Sequence, residues 1–328
     1  MITARLSAPA YELGEYADPV TELPELLADP EAAAELTSSA AGFDTYRWSD
    51  APVGELMAAA AQRTLGEAGV PGDEVDLVLL ATDSLPRDRT AHRDVAELLA
   101  EAGLSRATAS TLGLMDCATA MAAVGTAASL VRDGSARHVL VVSGDLADHA
   151  TGGERIVAGG AAIASDAAAT ALVSATAAGL PVLGMAHHAA QGPAQGQSPR
   201  QQLAARIAAY RELFTRLEHR HPFRPDEVRA VLSSNFARNV LETYLSDVGY
   251  GSAALALGNV GRIAHCLGSD PLINLADRLA EAKTGGPAAE DRAEDRLVLL
   301  GAGISHLAAV LLGARPLPAV GPDGEGVG

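Results

Sequence analysis

Residues 112–149 read LGLMDCATAMAAVGTAASLVRDGSARHVLVVSGDLADH. Residues 107–116 have the look of a short strand, and 118–133 follow with helical spacing and almost only small side chains. Gly134 supplies a helix stop. Residues 136–145 then form a nearly unbroken apolar run, the pattern of a parallel strand buried on both faces. Cys117 therefore falls where a strand hands over to a helix. A thiol there faces unpaired backbone N–H groups and the positive end of the helix dipole, which favour thiolate and hence nucleophilic chemistry. A buried structural cysteine is the competing reading.

The flanking sequence continues the alternation. Residues 52–69 predict a helix with a Gly stop, 75–83 a buried strand, 90–103 a helix and 167–175 a strand. A second half repeats the rhythm: a long polar helix at 198–219, a strand at 228–234, a helix at 236–249, a helix at 269–286, and closing strands at 296–303 and 306–313. The expected fold class is α/β, a duplicated arrangement of two halves, 1–175 and 176–313, with a disordered Pro/Gly-rich tail over 314–328.

Composition narrows the function. The chain has 328 residues, 48% hydrophobic, enough for a large core. With 41 acidic against 24 basic residues the net charge is −17, which disfavours nucleic acid and acidic lipid as partners. The start lacks a secretory pattern and no apolar stretch reaches membrane-spanning length, so a cytoplasmic location is expected. Two cysteines form no disulfide framework. Lys283 is the single lysine, which leaves almost no candidate for Schiff-base chemistry. His187 and His188 lack further ligands at suitable spacing, so no metal is expected and a loop or strand is the simpler reading. Residues 152–162 lack the Gly-Lys-Ser/Thr ending of a phosphate loop. Asp166 reads as a turn cap.

The 112–149 segment resembles the active-site region of ketosynthase III, the 3-oxoacyl-acyl-carrier-protein synthase III branch of the thiolase superfamily. The upstream VDLVLLATDS, the downstream AAIASDAAATALVSA and the closing LLGAGISHLAAVLL are similar to that family in order and character. The resemblance implies a thiolase fold with a five-layered αβαβα core, and a homodimer. It also implies a cysteine that carries an acyl group from a carrier-protein or coenzyme A thioester. No further cofactor is implied.

The sequence departs from that family at the cysteine's usual partners. Asn235, in SSNFARNVLE, stands where the family has histidine; Leu267, in AHCLGSDPLINL, is nearest by count to the family's asparagine. Those partners stabilise the charge made by malonyl decarboxylation. His265, two residues before Leu267, is instead a candidate partner for Cys117, with Asp270 as its acid. That set resembles the acyltransferase branch of natural-product pathways, which moves acyl groups to a hydroxyl, amine or thiol acceptor. The catalytic candidates are thus Cys117, His265, Asp270 and Asn235, the last as an oxyanion donor beside N–H groups of the helix start and the 301–303 hairpin. Candidates for lining the pocket are Gly303, Ser305, His306 and Trp48. The basic anchor for coenzyme A is missing from SSAAGF, which favours an acyl carrier protein docking on Arg200, Arg206, Arg211 or Arg216. The polar loop 84–94 points to an atypical acyl chain. Two other readings compete: a decarboxylating condensing enzyme, and a catalytically silent ketosynthase partner subunit.

Overall fold

Nine strands hydrogen-bond into one twisted sheet that changes identity at its middle. The computed structural model describes residues 2–85, 90–190 and 197–321. In chain order the strands are β1 (Arg5–Leu13), β2 (Leu77–Ala81), β3 (Thr108–Leu112), β4 (His138–Asp145), β5 (Ala167–Ser174), β6 (Leu180–Ala189), β7 (Val228–Ser233), β8 (Arg296–Ala302) and β9 (His306–Gly313). Their order in space is β7-β8-β9-β6-β1-β5-β4-β2-β3. Read outward from the middle, the first half runs β1, β5, β4, β2, β3. The second runs β6, β9, β8, β7, and a parallel bridge from Val231 to Leu255 stands where the fifth strand would be. In each half one strand, β5 or β9, opposes the others. The two halves meet where β1 pairs antiparallel with β6. This is a duplication visible in topology.

Six helices build the layers: α1 (Val53–Ala68), α2 (Ala91–Glu101), α3 (Thr119–Asp133), α4 (Pro199–Arg220), α5 (Arg238–Ser246) and α6 (Asp270–Lys283). On one outer face Leu56, Met57 and Ala61 of α1 pack on Val78, Leu80, Leu140 and Val142. On the other, Tyr210, Phe214 and Leu217 of α4 pack with Val231, Val298 and Leu300. Between the half-sheets lie α3 and α6, where Met121, Val124, Leu272 and Ile273 meet Val139, Val141, Leu232 and Leu299. The small side chains of α3 let this helix sit centrally, and ten of its fifteen residues are buried. The layers therefore run αβαβα.

Every predicted helix and strand is present, most within three residues of its expected ends. The helix expected over 236–249 begins only at Arg238, which leaves Asn235 and Phe236 in the preceding turn. Two long strands escaped the pattern reading. β1 (RLSAPAYEL) and β6 (LPVLGMAHHA) mix polar, Pro and Gly residues into the strand, so neither shows an apolar run. His187 and His188 lie consecutively in β6, so their side chains leave opposite faces and cannot chelate one ion together. The expected disorder of the tail does not hold at its start. Leu317 exchanges backbone hydrogen bonds with Gly179, and the Val320 N–H reaches Thr176. Residues 322–328, and 86–89 of the polar loop, lie outside the described residues. Among those described, no helix is long and apolar enough to cross a membrane.

Candidate active site

Cys117 sits in a single 3-10 turn, Asp116–Ala118, between β3 and α3. Leu114 and Asp116 before it hold positive φ, 64° and 48°, a conformation that side chains resist. Asp116 is held there from the closing hairpin: the Ser305 N–H and hydroxyl donate to its Oδ2 at 2.8 and 2.5 Å. Gly301 and Gly303 make this contact possible. A Cβ on Gly301 would lie 2.7 Å from the Cys117 carbonyl, and one on Gly303 would lie 2.3 Å from the Asp116 Cβ.

His265 is presented from the opposite half, in the loop before α6. Ala264 and Leu267 around it also have positive φ, 52° and 50°. Such backbone costs on the order of 1–3 kcal/mol per residue and persists only where the surroundings over-determine it. Here they do. The His265 N–H donates to Ile163, its carbonyl accepts from Ser165, and its ring meets Phe236 edge-on at 5.2 Å.

The three side chains align. Cys117 Sγ lies 3.1 Å from His265 Nε2, and His265 Nδ1 lies 2.5 Å from Asp270 Oδ2. His265 and Asp270 are fully buried. Burial pulls the His265 pKa down, but the Cys117 sulfur and the Asp270 carboxylate outweigh it and hold the value up, to about 10. His265 is therefore an imidazolium in this arrangement. No loop movement is needed to bring it to Cys117. Leu267, matched by count to the family's asparagine, faces the same cavity from two residues further on.

Asn235 belongs to this assembly but not as an oxyanion donor. Its amide Nδ2 donates to Asp270 Oδ1 and to the Ala264 carbonyl, both at 2.9 Å, and its N–H donates to Asp270 Oδ2 at 2.6 Å. Both amide hydrogens are used, and the residue is fully buried. The Cys266 N–H adds a further bond to Asp270, and Asn274 Nδ2 holds the Asn235 carbonyl oxygen. Asn235 therefore fixes the carboxylate that fixes the histidine. The hairpin is also a poor oxyanion donor, since the Ala302 N–H donates to Ser234 Oγ and the Gly303 N–H to the His306 carbonyl.

Cys117 and His265 open into a cavity of about 440 Å³, lined also by Asp83, Asp116, Asp145, Glu154, Gly303 and Ile304. Of the four residues expected to line it, only Gly303 does. Ser305 is turned to Asp116 and receives His306 Nδ1 at 2.9 Å. Trp48 lies elsewhere, stacked on Tyr16 at 4.1 Å, with its indole N–H on Asp18. Asp116 and Asp145 were missed because a strand-end aspartate is common punctuation in sequence. Asp166 does more than cap a turn: it binds Arg155 and accepts from the N–H groups of Ser49 and Ala147, tying three segments behind the site. A groove of about 760 Å³ between β1 and α6 has no Cys, Ser, Thr or His among its described lining residues.

A second groove, about 680 Å³ along α4, shares Ala158, Gly159 and Ile304 with the Cys117 cavity. Arg206 and Arg216 line it. Arg206 donates to the Gly303 carbonyl, whereas Arg211 is tied to Asp247 and Arg216 to Glu212.

No family model matches the sequence, and no curated relative does. Solved structures do match its shape. An acyltransferase, ChlB3, superposes with a TM-score of 0.74 at 20% identity, over 95% of this chain and 97% of its own. The 3-oxoacyl-(acyl carrier protein) synthase III of Pseudomonas aeruginosa does so at 0.72 and 18%, over 95% and 98%. OleA of Xanthomonas campestris reaches 0.74 at 14%, over 95% and 100%. The chain has the fold of these proteins, the thiolase fold.

Proposed function

We propose that this chain is a ketosynthase III-like acyltransferase of secondary metabolism. Cys117 takes an acyl group from a carrier-protein or coenzyme A thioester and passes it to a hydroxyl, amine or thiol. The observation that carries this reading is the Cys117–His265–Asp270 line, with spacings of 3.1 and 2.5 Å. A nucleophile, a base and an orienting acid are what acyl transfer to a heteroatom requires.

In the first half-reaction the Cys117 sulfur attacks the thioester carbonyl. The donor C–S bond breaks, and the departing thiolate takes the Nε2 proton of His265. In the second, the acceptor gives its proton to Nε2 as it attacks the Cys117 thioester, and the Cys117 sulfur leaves. Acylation removes the sulfur's contribution to the raised His265 pKa, so the ring becomes a better base when one is needed. Asp270, held by Asn235 and Cys266, keeps Nδ1–H in place throughout. At this turn the Ala118 N–H donates to the Met115 carbonyl and the Thr119 N–H to that of Asp116, so among the described residues it is the Cys117 N–H that suits an oxyanion.

Decarboxylative condensation is disfavoured on two grounds. Asn235 faces away from the cavity, so it cannot bind an enolate oxygen. Four carboxylates line the cavity and would repel a malonyl carboxylate. A silent subunit has no need of a closed Cys–His–Asp line.

The donor arm is proposed to enter along the α4 groove, with Arg200 and Arg206, which pair with no carboxylate among the described residues, meeting an acidic carrier protein. A homodimer through β3 is part of the reading. That strand ends the sheet with an open edge, and Leu114 beyond it is 81% exposed. Incubation with carrier-bound and coenzyme A thioesters plus a nucleophilic acceptor tests the reaction. Ester, amide or thioester product without carbon dioxide supports it; a carbon–carbon product with carbon dioxide refutes it.

A further inference from the structure

The cavity beside Cys117 is charged in a way that acyl transfer alone does not require. Of the described residues lining it, Asp83, Asp116, Asp145 and Glu154 are acidic, none is Arg or Lys, and the His265 ring is paired with Asp270 behind it. Asp116 is accounted for by Ser305. Asp145 is not. It is 6% exposed, at the end of β4, and its Oδ1 accepts from Thr82 Oγ1, the Asp83 N–H and Ser84 Oγ at 2.8–3.0 Å. Its Oδ2 has no donor among the described residues.

Every other buried aspartate in the described chain has a cation. Asp166 has Arg155, Asp270 has the His265 imidazolium, and Asp295 has Arg229. Buried carboxylates are rarely left without one. Asp83 compounds the problem, because its charge stands beside Asp145 and raises the cost of ionising it. Two adjacent carboxylates facing a cavity, one of them buried without a counter-charge, describe a receptor for a cation that arrives with the substrate.

Resting on the acyl-transfer reading above, we propose that the acyl group loaded onto Cys117 bears a protonated amine, which Asp145 and Asp83 hold. The acyl chain is favoured over the acceptor because Cys117 and the carboxylates line the same cavity, whereas the adjoining α4 groove carries arginines. Loading breaks the donor C–S bond, forms the Cys117 Sγ–C bond and sends the His265 proton to the departing thiolate. The ammonium is a spectator, held at a distance from the exchange.

Two measurements separate this inference from the reading it rests on. The first compares the rates at which cationic aminoethyl, neutral ethyl and anionic sulfonatoethyl methanethiosulfonates modify Cys117, followed by intact mass. The cationic reagent is expected to be about tenfold or more faster than the neutral one. That ratio should fall in Asp145→Asn and, separately, in Asp83→Asn. The overall acidity of the protein favours the cation in all three proteins, so the change in ratio isolates the cavity. An unchanged ratio in both variants overturns the proposal.

The second compares loading of 4-aminobutyryl- and valeryl-pantetheine, which match in length. Faster loading of the aminoacyl chain, with the preference lost in Asp145→Asn, supports the proposal. Equal or faster valeryl loading overturns it while leaving acyl transfer intact. Cation-selective modification with no thioester loading at all overturns both the acyl-transfer reading and the acyl assignment.

Discussion

The two cysteines are chemically distinct because of where they sit. Cys266 is 1% exposed, and burial holds its thiol well above the usual range. Cys117 opens onto the cavity beside an imidazolium. Iodoacetamide at neutral pH is therefore expected to add one carbamidomethyl group, and none to Cys117→Ala. His265 can be followed by NMR. Its raised pKa means that it gains a proton relative to the unfolded chain. The stability this contributes is full below about pH 6.5 and is lost as pH rises toward about 10. In Cys117→Ala the sulfur's share is gone, so the imidazole should titrate at lower pH. Replacing His265 with Ala is expected to slow acceptor transfer roughly 10²- to 10⁴-fold, the usual worth of a placed base.

Asp145 titrates with the same sign in a lower pH range. Its pKa is pushed up to about 7, chiefly by burial, so the folded protein binds a proton there that the unfolded chain releases near 3.8. Stability is lost as pH rises from about 4 to about 7, with a ceiling on the order of 4 kcal/mol. Asp145→Asn should raise the melting temperature more at pH 8 than at pH 5. Cys117, His265 and Asp270 were legible because their chemistry shows in residue type and neighbourhood. Asn235 was legible as a site residue but not in its role, since only the fold reveals that its amide points at Asp270 and not at the cavity. Trp48, Ser305 and His306 were drawn in by chemical character, and tertiary packing directs each to another partner.

At the scale of elements, the nucleophile is placed by pressure between the 116–118 turn and the closing hairpin. Gly303→Ala would set a Cβ 2.3 Å from the Asp116 Cβ and 2.9 Å from its Oδ2, so the Asp116 side chain that Ser305 holds would have to shift. The expected outcome is a loss of about 1–3 kcal/mol by denaturant titration and slower loading of Cys117. The helices and the core strands were legible because buried parallel strands are apolar runs and helices end on Gly69 and Gly134, both at positive φ. β1 and β6 were not, because Ser7 and Pro9 in one and Pro181 and Gly184 in the other interrupt the apolar run where the halves join.

For the whole molecule, duplication explains why the site draws on both halves. Cys117 comes from the turn after β3 in the first half, and His265 from the loop before α6 in the second. The central layer of α3 and α6 brings the two loops together. The open edge of β3 belongs to the same scale. If the proposed dimer forms through this edge, light scattering should report a dimer for the parent and a monomer for Ser110→Pro, whose ring removes a backbone donor from β3; a monomeric parent would contradict the proposal.

The central claim is that Cys117 becomes acylated and hands its acyl group to a heteroatom through His265. Intact mass of the protein after exposure to a panel of acyl thioesters, with Cys117→Ala and His265→Ala beside it, tests this most directly. The account predicts a mass gain that requires Cys117, that disappears when an acceptor is added, and that persists with the same acceptor in His265→Ala. No mass gain with any donor, or a malonyl adduct that sheds carbon dioxide, would contradict it.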